Sequence, residues 1–174
     1  MNPEFKEIQP DQIKDNPFKL IGSDWMLITA GTPESFNTMT ASWGTMGTLW
    51  DKNICICFIR PTRYTYQFAE KADTFTLSFF DGQYRDALSF CGSQTGRNVD
   101  KPKKTGLTPV KSPEGSVYFA QARLVIECKK IYFHDLNPRQ FLESSVHDFY
   151  AARDYHRMYI GEVIRVLAKE TTKS

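Results

Sequence analysis

Apolar residues in this chain fall in short runs divided by turn formers, a pattern that predicts strands more than long helices. Trp25 to Gly31 is the first run, closed by the turn signal Gly31, Thr32 and Pro33. Phe36 to Trp43 reads as a second strand, close enough in sequence for a hairpin through Pro33, Glu34 and Ser35. Ile54 to Ile59 is continuously apolar and predicts a buried strand, whereas Thr74 to Phe79 alternates polar and apolar as a half-buried strand does. Val117 to Phe119 and Ala122 to Cys128 extend the series, with Leu124, Ile126 and Cys128 on one face. Tyr155 to Leu167 closes it as a strand whose apolar positions include Met158, Ile160 and Val163, with Gly161 as a candidate bulge.

Between these runs the period changes. Thr62 is placed to cap a helix with Tyr66 and Ala69 on its inner face, uninterrupted before Asp73. Asp81 is placed to cap a second helix from Tyr84 to Cys91, stopped by Gly92. Asp135 to Pro138 opens a last helical piece carrying Phe141, Leu142 and Val146. Residues 1 to 16 are polar and read as a loosely packed arm, and Ser93 to Gly115 reads as a long functional loop. Roughly six strands with short helices between them predict a mainly β barrel. The organisation expected is an arm over 1–15, one domain over 16–168 and a tail over 169–174.

Length and composition narrow the function. At 174 residues the chain has room for one ordinary domain and its core. The net charge of +2 offers no field for a polyanion, and Lys101, Pro102, Lys103 and Lys104 form only a brief basic run, so nucleic acid is not an expected partner. No run of apolar residues is long enough to span a membrane, and the start of the chain lacks a signal core. The cysteines at 55, 57, 91 and 128 have no zinc or Cys-x-x-Cys spacing, so no metal site is expected. Cys55 and Cys57 fall on one face of a strand and read as small buried hydrophobes. A reduced, cytoplasmic protein is the resulting expectation. No Gly-x-Gly-x-x-Gly follows a strand, which disfavours a dinucleotide fold.

Two segments carry the chemistry. Asn37 to Gly44 combines an amide, hydroxyls, a thioether and an indole with small residues that let a flat ligand approach the backbone. Thr40 and Ser42 can bond the polar edge of such a ring while Met39 and Trp43 cover its apolar parts, and strand alternation leaves part of the contact to backbone near Ala41. Arg60, Thr62, Arg63 and Thr65 bring planar donors and hydroxyls to a strand end and helix start, where free amides already favour an anion. Aromatic ring at one end and phosphate at the other are the requirements of flavin mononucleotide (FMN).

These segments, together with Phe90 to Arg97, Asp100 with Lys101, and Asp154 to Glu162, resemble the flavin reductase family, and especially its flavoredoxin-like branch, over about residues 16 to 168. The resemblance implies an FMN-binding split barrel, a Greek-key antiparallel β-barrel with short peripheral helices. It implies non-covalent FMN held by Asn37, Met39, Thr40, Ala41, Ser42, Trp43, Arg60, Thr62, Arg63, Tyr64 and Thr65, with Ser93, Gly96, Arg97 and Lys101 joining from the loop. His156 is then expected to orient a reductant or manage a proton, with a structural histidine as the alternative, and Tyr159 divides between ring contact and core. The function implied is an FMN oxidoreductase working as an NAD(P)H-dependent flavin reductase, in a homodimer. Alternatives are an electron carrier served by a redox partner protein, and a non-catalytic barrel that binds flavin or haem.

Overall fold

The computed structural model describes residues 4–169. Its strands are β1 (Phe5–Ile8), β2 (Met26–Thr32), β3 (Ser35–Ala41), β4 (Gly44–Leu49), β5 (Lys52–Ile59), β6 (Thr74–Phe79), β7 (Pro109–Lys111), β8 (Val117–Phe119), β9 (Leu124–Asp135) and β10 (Arg157–Lys169). Its α-helices are α1 (Pro17–Lys19), α2 (Tyr64–Lys71), α3 (Arg85–Ser93) and α4 (Lys101–Thr105). The main sheet is antiparallel in the order β3, β2, β6, β9, β10, β5, β4. β9 takes one edge of β10 along its length. The other edge is shared, with β5 opposite Arg157 to Glu162 and β1 opposite Val166 to Lys169.

That sharing corrects the loosely packed arm. Phe5 to Ile8 pair in register with Lys169 to Val166, and Ile8 and Ile13 pack on the core. The first residue of the expected tail, Lys169, likewise lies in β10, while residues 170–174 lie outside the described residues. β4 is a strand that the sequence pattern did not show, because Gly44, Thr45, Gly47 and Thr48 carry little apolar signal. The second strand accordingly stops at Ala41, and Ser42 and Trp43 make the corner into β4.

The expected loop from Ser93 to Gly115 contains α4 and β7. Asp100 caps α4 by accepting from the Lys103 amide at 3.1 Å, and Gly106, at φ 72°, ends it in the left-handed conformation that glycine adopts without penalty. The β7–β8 hairpin is fastened by hydroxyls: Thr76 Oγ1 donates to Val117 O at 2.6 Å, Ser116 Oγ to Thr74 Oγ1 at 2.6 Å, and Ser112 Oγ to the buried Glu127 carboxylate. Polar anchors leave no hydrophobic period to read. The last expected helix is two 3₁₀ segments, Pro138–Gln140 and Ser144–Tyr150.

The core has two parts on either side of the sheet. Met26, Ile28, Cys55, Cys57, Phe75, Leu77, Leu124, Ile126, Cys128 and Tyr159 belong to one; Leu27, Phe80, Leu88, Cys91, Leu107, Phe119 and Val125 belong to the other. Hence β2 is buried on both faces, which explains its unbroken apolar run. Leu124, Ile126 and Cys128 share a face as their spacing requires. The four cysteines are free and buried. Burial lifts the Cys91 thiol to about 11, and also raises those of Cys57 and Cys128, so none of these three is a ready nucleophile.

Candidate functional site

The open end of the barrel, where β3 meets the start of α2 and the α3–α4 loop, holds two adjoining cavities with Met39 in both walls. The first, about 110 Å³, is lined by Asn37, Met39, Thr62, Arg63, Tyr64, Thr65, Ser93, Gln94, Thr95, Gly96 and Lys101. Asn37 Nδ2 donates to Thr65 Oγ1 at 2.7 Å, tying β3 to the first turn of α2. Gly96 packs so closely on that amide that a Cβ there would lie 1.9 Å from Asn37 Oδ1. Arg63, at the N-cap position of α2, donates from Nη2 to Gly92 O at 2.7 Å. Lys101 Nζ reaches back from α4 to Thr38 O at 2.7 Å and Cys91 O at 2.8 Å.

Neither cation has a carboxylate partner among the described residues. Carbonyl oxygens satisfy hydrogen bonds without cancelling charge, so the cavity carries two cations and hydroxyls beside the free amides of α2. Burial pulls Lys101 down to about 8 and also lowers Arg63, which remains charged. Such a group, 3% exposed with only dipoles to hold it, gains most from an anion entering the cavity.

The second cavity, about 200 Å³, is lined by Met39, Thr40, Ala41, Ser42, Trp43, Phe58, Arg60 and His156. Trp43 lies 5.0 Å from the His156 ring and edge-on to Phe149 at 5.5 Å, and Phe58 stands edge-on to His156 at 6.5 Å. His156 Nδ1 is 2.8 Å from the Tyr150 hydroxyl. Burial first, then the neighbouring Arg60 charge, draws His156 down to about 4 against the opposing pull of Asp154. The imidazole is therefore uncharged at neutral pH, which corrects the expectation that it titrates there to manage a proton.

The other candidates sort by geometry. Asn37, Met39, Ala41, Ser42, Trp43, Arg63, Tyr64, Thr65, Ser93, Gly96 and Lys101 gather on the two cavities. Arg60 does not join the anion end: its Nη1 pairs with Asp154 Oδ1 at 2.6 Å and its Nη2 donates to Phe149 O at 2.8 Å. Thr62 lines the first cavity without capping α2, its hydroxyl donating to Asp154 Oδ2 at 3.3 Å. Thr40 lines the second cavity, yet its hydroxyl is committed to Leu88 O. Arg97 is exposed and stacks over the Tyr64 ring at 4.5 Å, outside the cavity wall. Tyr159 is a correction: it is 1% exposed inside the barrel, with its hydroxyl on Glu70 Oε1 at 2.5 Å. Sequence reasoning passed over Gln94, Thr95, Phe58, Tyr150 and Asp154. Gln94, Thr95 and Asp154 stand within the segments quoted for the resemblance, and that position was the available signal.

Among the described residues no helix is long and apolar enough to cross a membrane, and no His, Cys, Asp or Glu group is arranged to hold a metal. The family model for the flavin reductase like domain matches residues 18–174, and the chain belongs to that family. No curated protein sequence matches it. An FMN-binding protein of Thermus thermophilus, solved with 1-cyclohex-2-enone bound, superposes with a TM-score of 0.69 at 21% identity, covering 97% of this chain and 80% of that one. Flavoredoxin of Desulfovibrio vulgaris (Miyazaki F) superposes at 0.66 with 22% identity, covering 95% and 77%. An NADH:FAD oxidoreductase of Streptomyces globisporus gives 0.66 at 18%, covering 87% and 78%. The mainly β antiparallel barrel expected from the sequence is the fold these structures share.

Proposed function

We propose that this flavin reductase-like domain binds FMN without a covalent bond and passes electrons from NADH or NADPH through it. The observation that carries the reading is the pair of cavities meeting at Met39, one cationic and hydroxyl-lined, the other aromatic. The residues present fit the group. Arg63, Lys101, Thr65 and the α2 amides would hold the phosphate, the bare Cα of Gly96 leaves the loop close against Asn37, and Met39 to Trp43 would hold the ring. FMN, when bound, supplies the hydride and single-electron chemistry. The chain's own part is to hold, orient and shield, so no nucleophile is required.

A homodimer belongs to the same reading. Trp50, Tyr132 and Phe133 are exposed aromatics, Trp50 and Tyr132 lying 6.1 Å apart, and a second copy would cover them. A cytoplasmic location is supported by the four free cysteines. Mass analysis of heat-released cofactor, and a visible spectrum followed through anaerobic addition of NADH and NADPH, test the proposal. Absence of flavin after reconstitution would overturn it, and bound flavin that neither nucleotide bleaches would move the reductant to a partner protein.

Two further results are expected. Arg63→Ala should weaken FMN by about 1.5–3 kcal/mol, the worth of a charge-assisted bond, and riboflavin far less. Isothermal titration with both ligands checks this, and equal losses would remove Arg63 from the phosphate. FMN affinity should also fall with rising pH above about 8, where Lys101 in the flavin-free protein loses its proton. The phosphate favours charged Lys101, so above that pH binding takes up a proton and the dissociation constant should rise by up to about tenfold per pH unit. Titration between pH 7 and 10 reads the slope, and a flat profile would place the Lys101 ammonium away from the phosphate.

A further inference from the structure

We propose that a third cavity, walled by the end of α1, the start of α3 and the corner before β9, binds a small monocarboxylate with an apolar body, its carboxylate taken by Arg85. The site stands apart from the FMN reading: its volume is about 400 Å³, and none of its lining residues lines either of the cavities that meet at Met39. Pairing of charges singles out Arg85. Lys19 Nζ bonds the Asp24 carboxylate at 2.7 Å, and Arg123 bonds both oxygens of Asp15, at 2.7 and 3.3 Å, with Asp81 3.7 Å from its Nε. Lys169 also lies within the field of Asp81. Lys19, Arg85, Arg123 and Lys169 thus share only Asp15, Asp24 and Asp81, and Arg85 is the cation left with no carboxylate partner among the described residues.

The guanidinium is also set in place ahead of any ligand. Its Cζ lies 3.2 Å from the centre of the Trp25 ring, and Nη1 donates to Ser23 O at 2.7 Å and Asp24 O at 3.3 Å. Nε and Nη2 have no hydrogen-bond partner among the described residues, and they form the edge that takes a carboxylate as a fork. The backbone bears a cost where this stack is made: Trp25 follows the π-helical turn Leu20–Asp24 at φ 70° and ψ 167°, a conformation that residues with a side chain rarely adopt. Arg85 clamps the two carbonyls just before that residue, so indole and guanidinium hold each other, and a fork held in this way loses little freedom on binding.

The rest of the wall sets the rest of the ligand. Phe80 and Leu88 are its buried side, with Phe80 tilted against Tyr84 at 5.7 Å and Phe119 at 6.4 Å, so a molecule that reaches past Arg85 meets apolar side chains. The volume is more than a carboxylate alone can fill, which calls for a body behind it. One surplus cation balances one negative charge, and a second charge on the ligand would lose its water beside Asp24 and Asp81 without a partner.

3-Phenylpropionate and 3-phenylpropionamide are probes of one shape that differ in charge. In isothermal titration at pH 7 the acid should bind at least about tenfold more tightly than the amide, and than acetate, which lacks the body. Higher salt should weaken the acid, because Arg85 is exposed. Saturating FMN should leave the acid's affinity unchanged, which separates this cavity from Arg63 and Lys101. Arg85→Gln should abolish the preference for acid over amide while FMN affinity stays within about twofold, and Arg85→Lys, which keeps the charge without the fork, should retain part of the preference. In the unaltered protein the ¹H–¹⁵N signal of Arg85 Nε–H should move with the acid and stay still with the amide. Equal binding of acid and amide, displacement of the acid by FMN, an unmoved Nε–H signal or an undiminished preference in Arg85→Gln would each overturn the proposal, as would the absence of saturable binding at roughly 10 mM acid. Failure to take up FMN would count against the flavin reading alone.

Discussion

Lys101→Met is expected to cost FMN binding about 2–5 kcal/mol, the range for truncating one partner of a buried hydrogen-bonded charge pair. Lys101 is on a five-residue helix whose start is fixed by the Asp100 cap, and its side chain runs inward to the carbonyls of Thr38 and Cys91. A lysine is seldom so buried without a carboxylate. Two carbonyl dipoles hold the ammonium in place but leave its charge uncompensated, as its fall to about 8 reflects. The phosphate of FMN would complete the third hydrogen-bonding position and the charge together. Methionine fills similar space, so the barrel should fold and the loss should appear in the dissociation constant. Titration of FMN and riboflavin separates the effects: the methionine variant should lose FMN affinity far more than riboflavin affinity, keeping only the part of the preference that Arg63 supplies, and an undiminished preference for FMN would place the Lys101 ammonium away from the phosphate.

Gly161→Ala is expected to destabilise the barrel by about 3 kcal/mol, at the upper end for overpacking. Gly161 lies on β10 between Cys55 of β5 and Lys130 of β9, where the β10–β9 register slips by one residue. A Cβ there would come within 2.6 Å of both Cys128 Cβ and Phe75 Cζ, too near for either to yield by a rotamer change alone. Phe75 and Cys128 are themselves buried in the barrel core, so the added methyl has no free volume to enter. Chemical denaturation reads the loss as a lower midpoint with the same slope. A second variant, Gly161→Ala with Phe75→Leu, should recover part of the stability, and an unchanged midpoint in the single variant would mean the sheet relaxes at the bulge without strain.

Gly161 also marks where sequence reading stops. Its place as a bulge is legible because a glycine interrupts the run of apolar positions Met158, Ile160 and Val163, yet the side chains it makes room for come from strands far away in sequence. The same division runs through the site. Asn37, Met39 to Ala41 and Arg63 to Thr65 are legible as candidates, since residue type and local period suffice to put amide, thioether, guanidinium and hydroxyl at a strand end and a helix start. Arg60 is not, because only the fold brings Asp154, 94 residues away, within 2.6 Å and turns a prospective phosphate ligand into a neutralised pair.

From the sequence alone came the strand-rich barrel, the separation of a polar end from an aromatic end, and the resemblance to flavin reductases, for these rest on periodicity and residue chemistry within short segments. The tertiary structure decided which charges remain uncompensated, that Tyr159 belongs to the core, that residues 5 to 8 are an edge strand, and that His156 is uncharged with Tyr150 on its Nδ1. Each depends on burial and on partners distant in the chain. Desolvation and pairing set a group's charge and its freedom to meet a ligand, and neither is written in the residue's neighbours along the sequence.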